Sequence, residues 1–180
     1  SNRIWAGAED RCAQFVVYDA KSATFWYDYT DKINNTLDDV QNVATMKVDA
    51  DGISSVYIAS VRPLQGIKFY VKTANATAAL ATGFYWNGTS WAALAALVDG
   101  TVTVAGKTLS GTGSVTFTST VATSKIKSIK RSVAYFYKIV FTGVDATTTV
   151  SHCTLDAPMQ PVLDIWDGVG RFCVQFFKYT

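Results

Sequence analysis

The sequence predicts an all-β fold, a sandwich or barrel of many short strands. Three observations lead there. Apolar residues make up 49% and aromatics 13% of the chain, while charged residues make up only 17%, against about 25% in ordinary domains. β-Branched and aromatic side chains suit a pleated, half-buried surface. Short apolar or alternating runs recur between turn residues, the pattern of a sandwich or barrel. Long amphipathic Glu/Lys stretches are missing, and Glu9 is the only glutamate.

The elements follow in chain order. Residues 12–18 (CAQFVVY) and 23–29 (ATFWYDY) read as strands. Within 35–43, Thr36 and Asp38 suit the cap of a short turn over Leu37 and Val40. A short run at 46–48 ends at the turn Asp49-Ala50-Asp51-Gly52. Strands are expected at 55–61 and 66–72, separated by the break at Arg62-Pro63. Residues 82–86 (TGFYW) meet Asn87-Gly88, a strong hairpin signal because both residues tolerate positive φ. Further strands are expected at 90–97, 101–104, 114–119, 132–142 and 147–155. In the longest, Val133, Tyr135, Tyr137, Ile139 and Phe141 share one parity and mark a core face.

The length of 180 residues suits a single sandwich domain. A formal net charge of +2 is too small for a nucleic-acid binder, so no nucleic-acid partner is expected. No apolar run is long enough to span a membrane as a helix, so no membrane insertion is expected. The start at Ser1 reads as processing or as a window from a longer chain. Cys12, Cys153 and Cys173 are an odd set without C-x-x-C spacing, which gives no support for zinc. Cys12 and Cys153 lie in expected core strands and are the candidate disulfide.

The two ends of the chain resemble each other. Ile4-Trp5-x-Gly7, Cys12, Gln14, Phe15 and Tyr18 match Ile165-Trp166-x-Gly168, Cys173, Gln175, Phe176 and Tyr179 at one offset, 165 − 4 = 161. A fixed period is the mark of an array. The favoured organisation is a module over 1–161, with 162–180 starting a next module or serving as an exchanged strand; the competing one makes the matching ends sister strands of a single pseudo-symmetric domain. The two prolines of Asp156-Ala157-Pro158-Met159-Gln160-Pro161 suit a semi-rigid linker. Neighbouring copies of the same chain are the expected partner.

One stretch carries a resemblance to a known family. Val56-Tyr57-Ile58-Ala59-Ser60-Val61-Arg62-Pro63-Leu64-Gln65-Gly66-Ile67-Lys68-Phe69-Tyr70 is similar to a segment of virion-associated phage proteins. Asn75, Tyr85-Trp86-Asn87-Gly88-Thr89-Ser90-Trp91, Asp99-Gly100-Thr101, Ser110 to Phe117 and Ala134 to Ile139 follow in the same order. Residues 46–155 thus resemble discoidin-like, galactose-binding-like jelly-roll domains of phage tail, baseplate and fibre proteins. The resemblance implies a jelly-roll β-sandwich with a structural role. It implies no binding residues, because the loops do not match and Lys68 and Lys72 stand where acidic residues are common.

Catalytic chemistry is poorly supported. His152 is the only histidine and alternates with Cys153 across a strand, which suits a structural histidine. The paired carboxylates Asp38-Asp39, Asp49/Asp51 and Asp164/Asp167 lie in turn-like segments. Asp49 to Gly52 opens like a calcium loop but lacks the closing bidentate acid. Structural calcium through backbone carbonyls is left open, and no other cofactor is expected. Lys125, Lys127, Lys130 and Arg131 form a basic run that suits a solvated loop or a charged strand edge. Three Asn-x-Thr triplets, at Asn34, Asn75 and Asn87, fit the glycosylation pattern.

The expected function is a non-catalytic structural repeat of a phage virion, in a tail or fibre, or of an extracellular appendage. Location in a virion or outside the cell follows. The alternative is a carbohydrate-binding adhesion module for host-surface or extracellular glycan, with Trp86, Asn87 and Trp91 as the ligand platform and Trp26, Tyr27 and Tyr85 as further stacking candidates. A glycoside hydrolase ranks below both.

Overall fold

The structure, a computed structural model, describes residues 10–18, 26–35, 43–46 and 53–158. Two antiparallel sheets face each other. One contains β1 (Asp10–Arg11), β13 (Thr149–Asp156), β6 (Gly66–Thr73), β10 (Gly113–Thr116) and β9 (Val98–Asp99) in that order, with β4 (Ala44–Thr45) also on β13. The other contains β3 (Trp26–Asp28), β2 (Gln14–Tyr18), β5 (Ile53–Ser60), β12 (Ser132–Thr142), β7 (Leu80–Trp86) and β8 (Trp91–Ala93), with β11 (Ile126–Ile129) also on β12. The chain crosses repeatedly between layers, for example from β5 to β6 and from β6 to β7. This is the all-β sandwich of jelly-roll type that the sequence predicts.

Alternation explains the core. Phe15 and Val17 of β2, Val56 and Ile58 of β5, and Tyr137, Ile139 and Phe141 of β12 point inward. Ile67 and Phe69 of β6 and Val150, Cys153 and Leu155 of β13 meet them. Phe69 and Phe141 touch edge to face at 5.7 Å, a preferred aromatic geometry. Tyr137 brings a hydroxyl into this apolar layer and finds partners there. Its oxygen accepts from the Leu64 N–H at 2.7 Å and shares a hydrogen bond with the Thr120 hydroxyl. Without that hydroxyl the buried Leu64 N–H would lose its acceptor, a loss of about 1–3 kcal/mol.

The structure departs from the expected elements at several points. Residues 101–104 form a loop, although T-V-T-V alternates like a strand. The Asp99 carboxylate accepts the Thr101 N–H and hydroxyl, and the Ser110 hydroxyl oxygen accepts the N–H groups of Thr103 and Val104. These side-chain bonds replace a ladder. A helical turn not expected from the sequence is α1 (Thr30–Asn34), whereas residues 36–42 of the turn expected within 35–43 lie outside the described residues. Ile33 is fully buried, and α1 rests on β13. Val133 is 68% exposed, because the start of β12 runs past the core. The C-terminal copy of the repeat with Cys173, the 1–161 module boundary and the segment 162–180 lie outside the described residues, as does the Asp49 to Gly52 turn.

One end of the sandwich is closed by Asn75 and Asp145. Asn75 is buried, and its Oδ1 accepts from the N–H groups of Thr77 and Asp145. Its amide donates to the carbonyls of Thr77 and Thr108, so this triplet cannot carry a glycan in the folded chain. Desolvation pushes the Asp145 carboxyl up. Hydrogen bonds from the Ala76 and Thr147 N–H groups and the Thr147 and Thr148 hydroxyls outweigh it and hold the pKa at about 2. The folded pKa lies below the unfolded value of 3.8. The Asp145 contribution to stability is therefore complete above the unfolded value and lost as pH falls through about 2. Thermal melting from pH 5 to pH 2 is expected to show a smaller acid-induced drop in Asp145→Asn than in the parent, with the variant less stable at pH 5.

Candidate functional site

The outer face of the seven-stranded sheet carries the most concentrated chemistry among the described residues. Tyr57 lies between the inward Val56 and Ile58 and therefore points outward. Tyr18 and Trp26 sit opposite each other across β2 and β3. Trp86 and Trp91 do the same across β7 and β8. The rings meet in a continuous series. Tyr18 lies 4.7 Å from Trp26, Trp26 5.0 Å from Tyr57, Tyr57 5.5 Å from Trp91, and Trp91 5.7 Å from Trp86. Successive planes are tilted by 47° to 70°. All five rings are half-buried.

A small second core supports the ribbon. Phe136 is buried with Ala59 and Ala134, and Tyr57, Trp91 and Ile129 pack against them. The rings are therefore held by packing on a sheet and not on a free loop. Burial pushes the Tyr57 phenol up, and the neighbouring Tyr18 adds to it, so the phenol stays a neutral donor at ordinary pH.

Lysines accompany the rings. Lys127 Nζ lies 3.3 Å above the Trp86 ring centre, Lys130 Nζ 5.4 Å from that of Trp26, and Lys138 Nζ 5.7 Å from that of Tyr57. Such contacts are cation–π attractions. Burial pushes the Lys138 ammonium pKa down. The basic run of the sequence proves to be the edge hairpin of β11 and β12, joined by the two residues Lys130 and Arg131. Both have positive φ, 46° and 73°, where Asn-Gly is the unstrained choice.

The Trp86, Asn87, Trp91 platform is partly assembled. The two indoles meet across the hairpin, and Gly88 takes φ 109°. Asn87 Oδ1 accepts from the N–H groups of Thr89 and Ser90 and the Thr89 hydroxyl, so this side chain braces the turn. Trp26, one of the stacking candidates read from the sequence, joins the ribbon, whereas Tyr18 and Tyr57 were not anticipated as members. The available signal was Tyr57 standing alone between Ser55 and Ala59 on the outward parity of its strand.

Other candidates resolve as structure. His152 Nδ1–H donates to the Ile33 carbonyl and its ring lies against Tyr70, fixing α1 on β13. Cys12 directly follows Arg11, which pairs with Thr154, the neighbour of Cys153. Both are buried free thiols, with Cys12 Sγ 3.8 Å from the Cys153 carbonyl oxygen. Burial, reinforced by Cys12, pushes the Cys153 thiol up. The paired carboxylates singled out in the sequence lie outside the described residues. Among the described residues no group of three or more His, Cys, Asp or Glu could hold a metal.

No family model and no curated protein matches the chain. Two solved structures resemble it. One is described as CpGH89CBM32-6 produced by Clostridium perfringens, with 8% identity and a TM-score of 0.43, covering 80% of this chain and 92% of that one. The other is a pectin binding carbohydrate binding module, with 14% identity and a TM-score of 0.43, covering 83% and 93%. At this level of similarity, neither supplies an argument about residues or ligand.

The Lys130–Arg131 turn gives a direct test of the local geometry. Arg131→Gly is expected to raise stability in chemical denaturation by about 0.5–1 kcal/mol, since relief of a left-handed residue exceeds the entropy cost of glycine.

Proposed function

We propose that this chain is a non-catalytic carbohydrate-binding module that works outside the cell. The aromatic ribbon on the outer face of the seven-stranded sheet carries the reading. A pyranose presents a flat C–H face and a polar rim. Half-buried indole and phenol rings, supported from below by Phe136, offer an apolar surface of matching character. Among the described residues, His152 is engaged on Ile33, Asp145 on a closing loop, and Asp99 on Thr101 and Thr108. Binding without turnover is the chemistry these described residues support. The virion or fibre building-block reading gains no support from the described residues, and the segment 162–180 that would carry tandem contact lies outside them.

The test is a glycan array followed by titration calorimetry on the intact chain. Trp86→Ala and Trp91→Ala are each expected to weaken the best ligand roughly tenfold, or about 1.4 kcal/mol. Tyr70→Ala, on the opposite sheet, is expected to leave binding unchanged. Parent-like binding by both tryptophan variants, with folding checked by melting, would sink this reading.

We also propose that Cys12 and Cys153 close to a cystine when the chain folds under oxidising conditions. They are 141 positions apart, and a bond closing a loop of that size adds about 4–5 kcal/mol in the chain-entropy model. Non-reducing peptide mapping of protein folded in a glutathione redox buffer is expected to recover the two cysteines in one linked species. Recovery of both as separately alkylated thiols after unfolding would refute the bond.

A further inference from the structure

We propose that the ligand of this face is an acidic polysaccharide built from uronic acids; this rests on the glycan-binding reading above. Each of three rings in the ribbon has its own ammonium: Lys127 at Trp86, Lys138 at Tyr57 and Lys130 at Trp26. None of these lysines pairs with a carboxylate among the described residues. Asp28 is the one acidic residue on the described strands of this sheet, and its Oδ1 accepts from the Thr30 N–H and hydroxyl. The face therefore pairs apolar rings with uncompensated positive charge.

A uronan has the complementary pattern. Every unit offers a stackable ring face and a carboxylate fixed to that ring. A neutral sugar reaching Trp86 must displace Lys127 from the indole and gives nothing back for the lost cation–π contact. A uronate displaces it and then binds it, through a charge-assisted hydrogen bond stronger than a neutral one. Lys138 adds to the preference. It sits opposite Tyr57 on β12 with its ammonium partly desolvated, so an arriving carboxylate restores favourable surroundings. The β11–β12 turn points the same way. It keeps Lys130 and Arg131 at positive φ, where an uncharged Asn-Gly pair would be unstrained. Nucleic acid also combines rings with negative charge. A chain of net charge +2 lacks the density of cations that phosphate backbones require.

The experiment is calorimetric titration of the intact chain with hexamers of galacturonate, mannuronate and glucuronate, each beside its methyl ester. The ester keeps the backbone and removes the charge. At least one free-acid hexamer is expected to bind, with its ester weaker by about tenfold and added salt narrowing the gap. The double variant Lys127→Met, Lys138→Met is expected to bind acid and ester alike, with its melting temperature reported alongside. The acid–ester comparison on the unmutated chain stands even if that variant misfolds. Equal affinity for acid and ester overturns the charge selection while leaving glycan binding intact. Binding of a neutral glucan, a sulfated galactan or an oligothymidine in preference to every uronan also overturns it. Absence of binding to any saccharide overturns the glycan reading itself.

Discussion

The two-sided burial of β12 is the constraint on which the rest of the architecture depends. Tyr137, Ile139 and Phe141 face the sandwich core with no measurable exposure, while Phe136, one step away, is buried on the opposite face. An antiparallel sheet in a sandwich ordinarily leaves its outer face to water and polar residues. Here the outer face of the central strand is apolar and needs a cover. The cover comes from three directions: Tyr57 from β5, Trp91 from β8 and Ile129 from β11. The aromatic ribbon thus begins as a packing solution. It becomes a candidate binding face because the cover is incomplete and its rings remain half-exposed.

The same constraint explains the lysines. A long aliphatic stem can lie along apolar surface while the ammonium stays wet. Lys138 lies on the outer face of β12 beside Tyr57, and Lys127 sits opposite Ala134 with its ammonium on Trp86. Their stems are suited to extend the apolar cover, and their charges give the face a sign. Stability and recognition are therefore coupled here: a side chain that shields the second core is also one a ligand would meet.

Much of the sandwich was legible in local pattern. The odd parity of β12, the Asn87-Gly88 hairpin and the strands of β5, β6 and β13 follow from alternation and turn chemistry. Three features were not legible, each for a physical reason. The β11 hairpin turns through Lys130 and Arg131, which lack the Asn-Gly signature. Residues 101–104 alternate like a strand but have side-chain partners in place of a sheet neighbour, and pattern cannot report on absent neighbours. The convergence of Trp26, Tyr57, Trp86 and Trp91 depends on the spatial order β3-β2-β5-β12-β7-β8, which no local window contains. The sequence therefore offered Trp26, Trp86 and Trp91 as separate stacking candidates, and missed Tyr18 and Tyr57 and the sheet order that joins the rings.

Placement on a sheet also shapes what such a site can do. Loops at the ends of a sandwich adapt to a ligand and lose conformational entropy in binding it. Among the described residues, one loop end is already fixed by Asn75 and Asp145, whose polar groups are directed inward at backbone partners. The ribbon, by contrast, is built on strands: its rings are spaced by strand register, and Tyr57 and Trp91 at its centre pack against Phe136 and its neighbours. A stacking ligand meets a surface whose ordering cost was met when the protein folded. The small adjustment that stacking on Trp86 would still require is the displacement of Lys127, a side-chain movement and not a loop rearrangement.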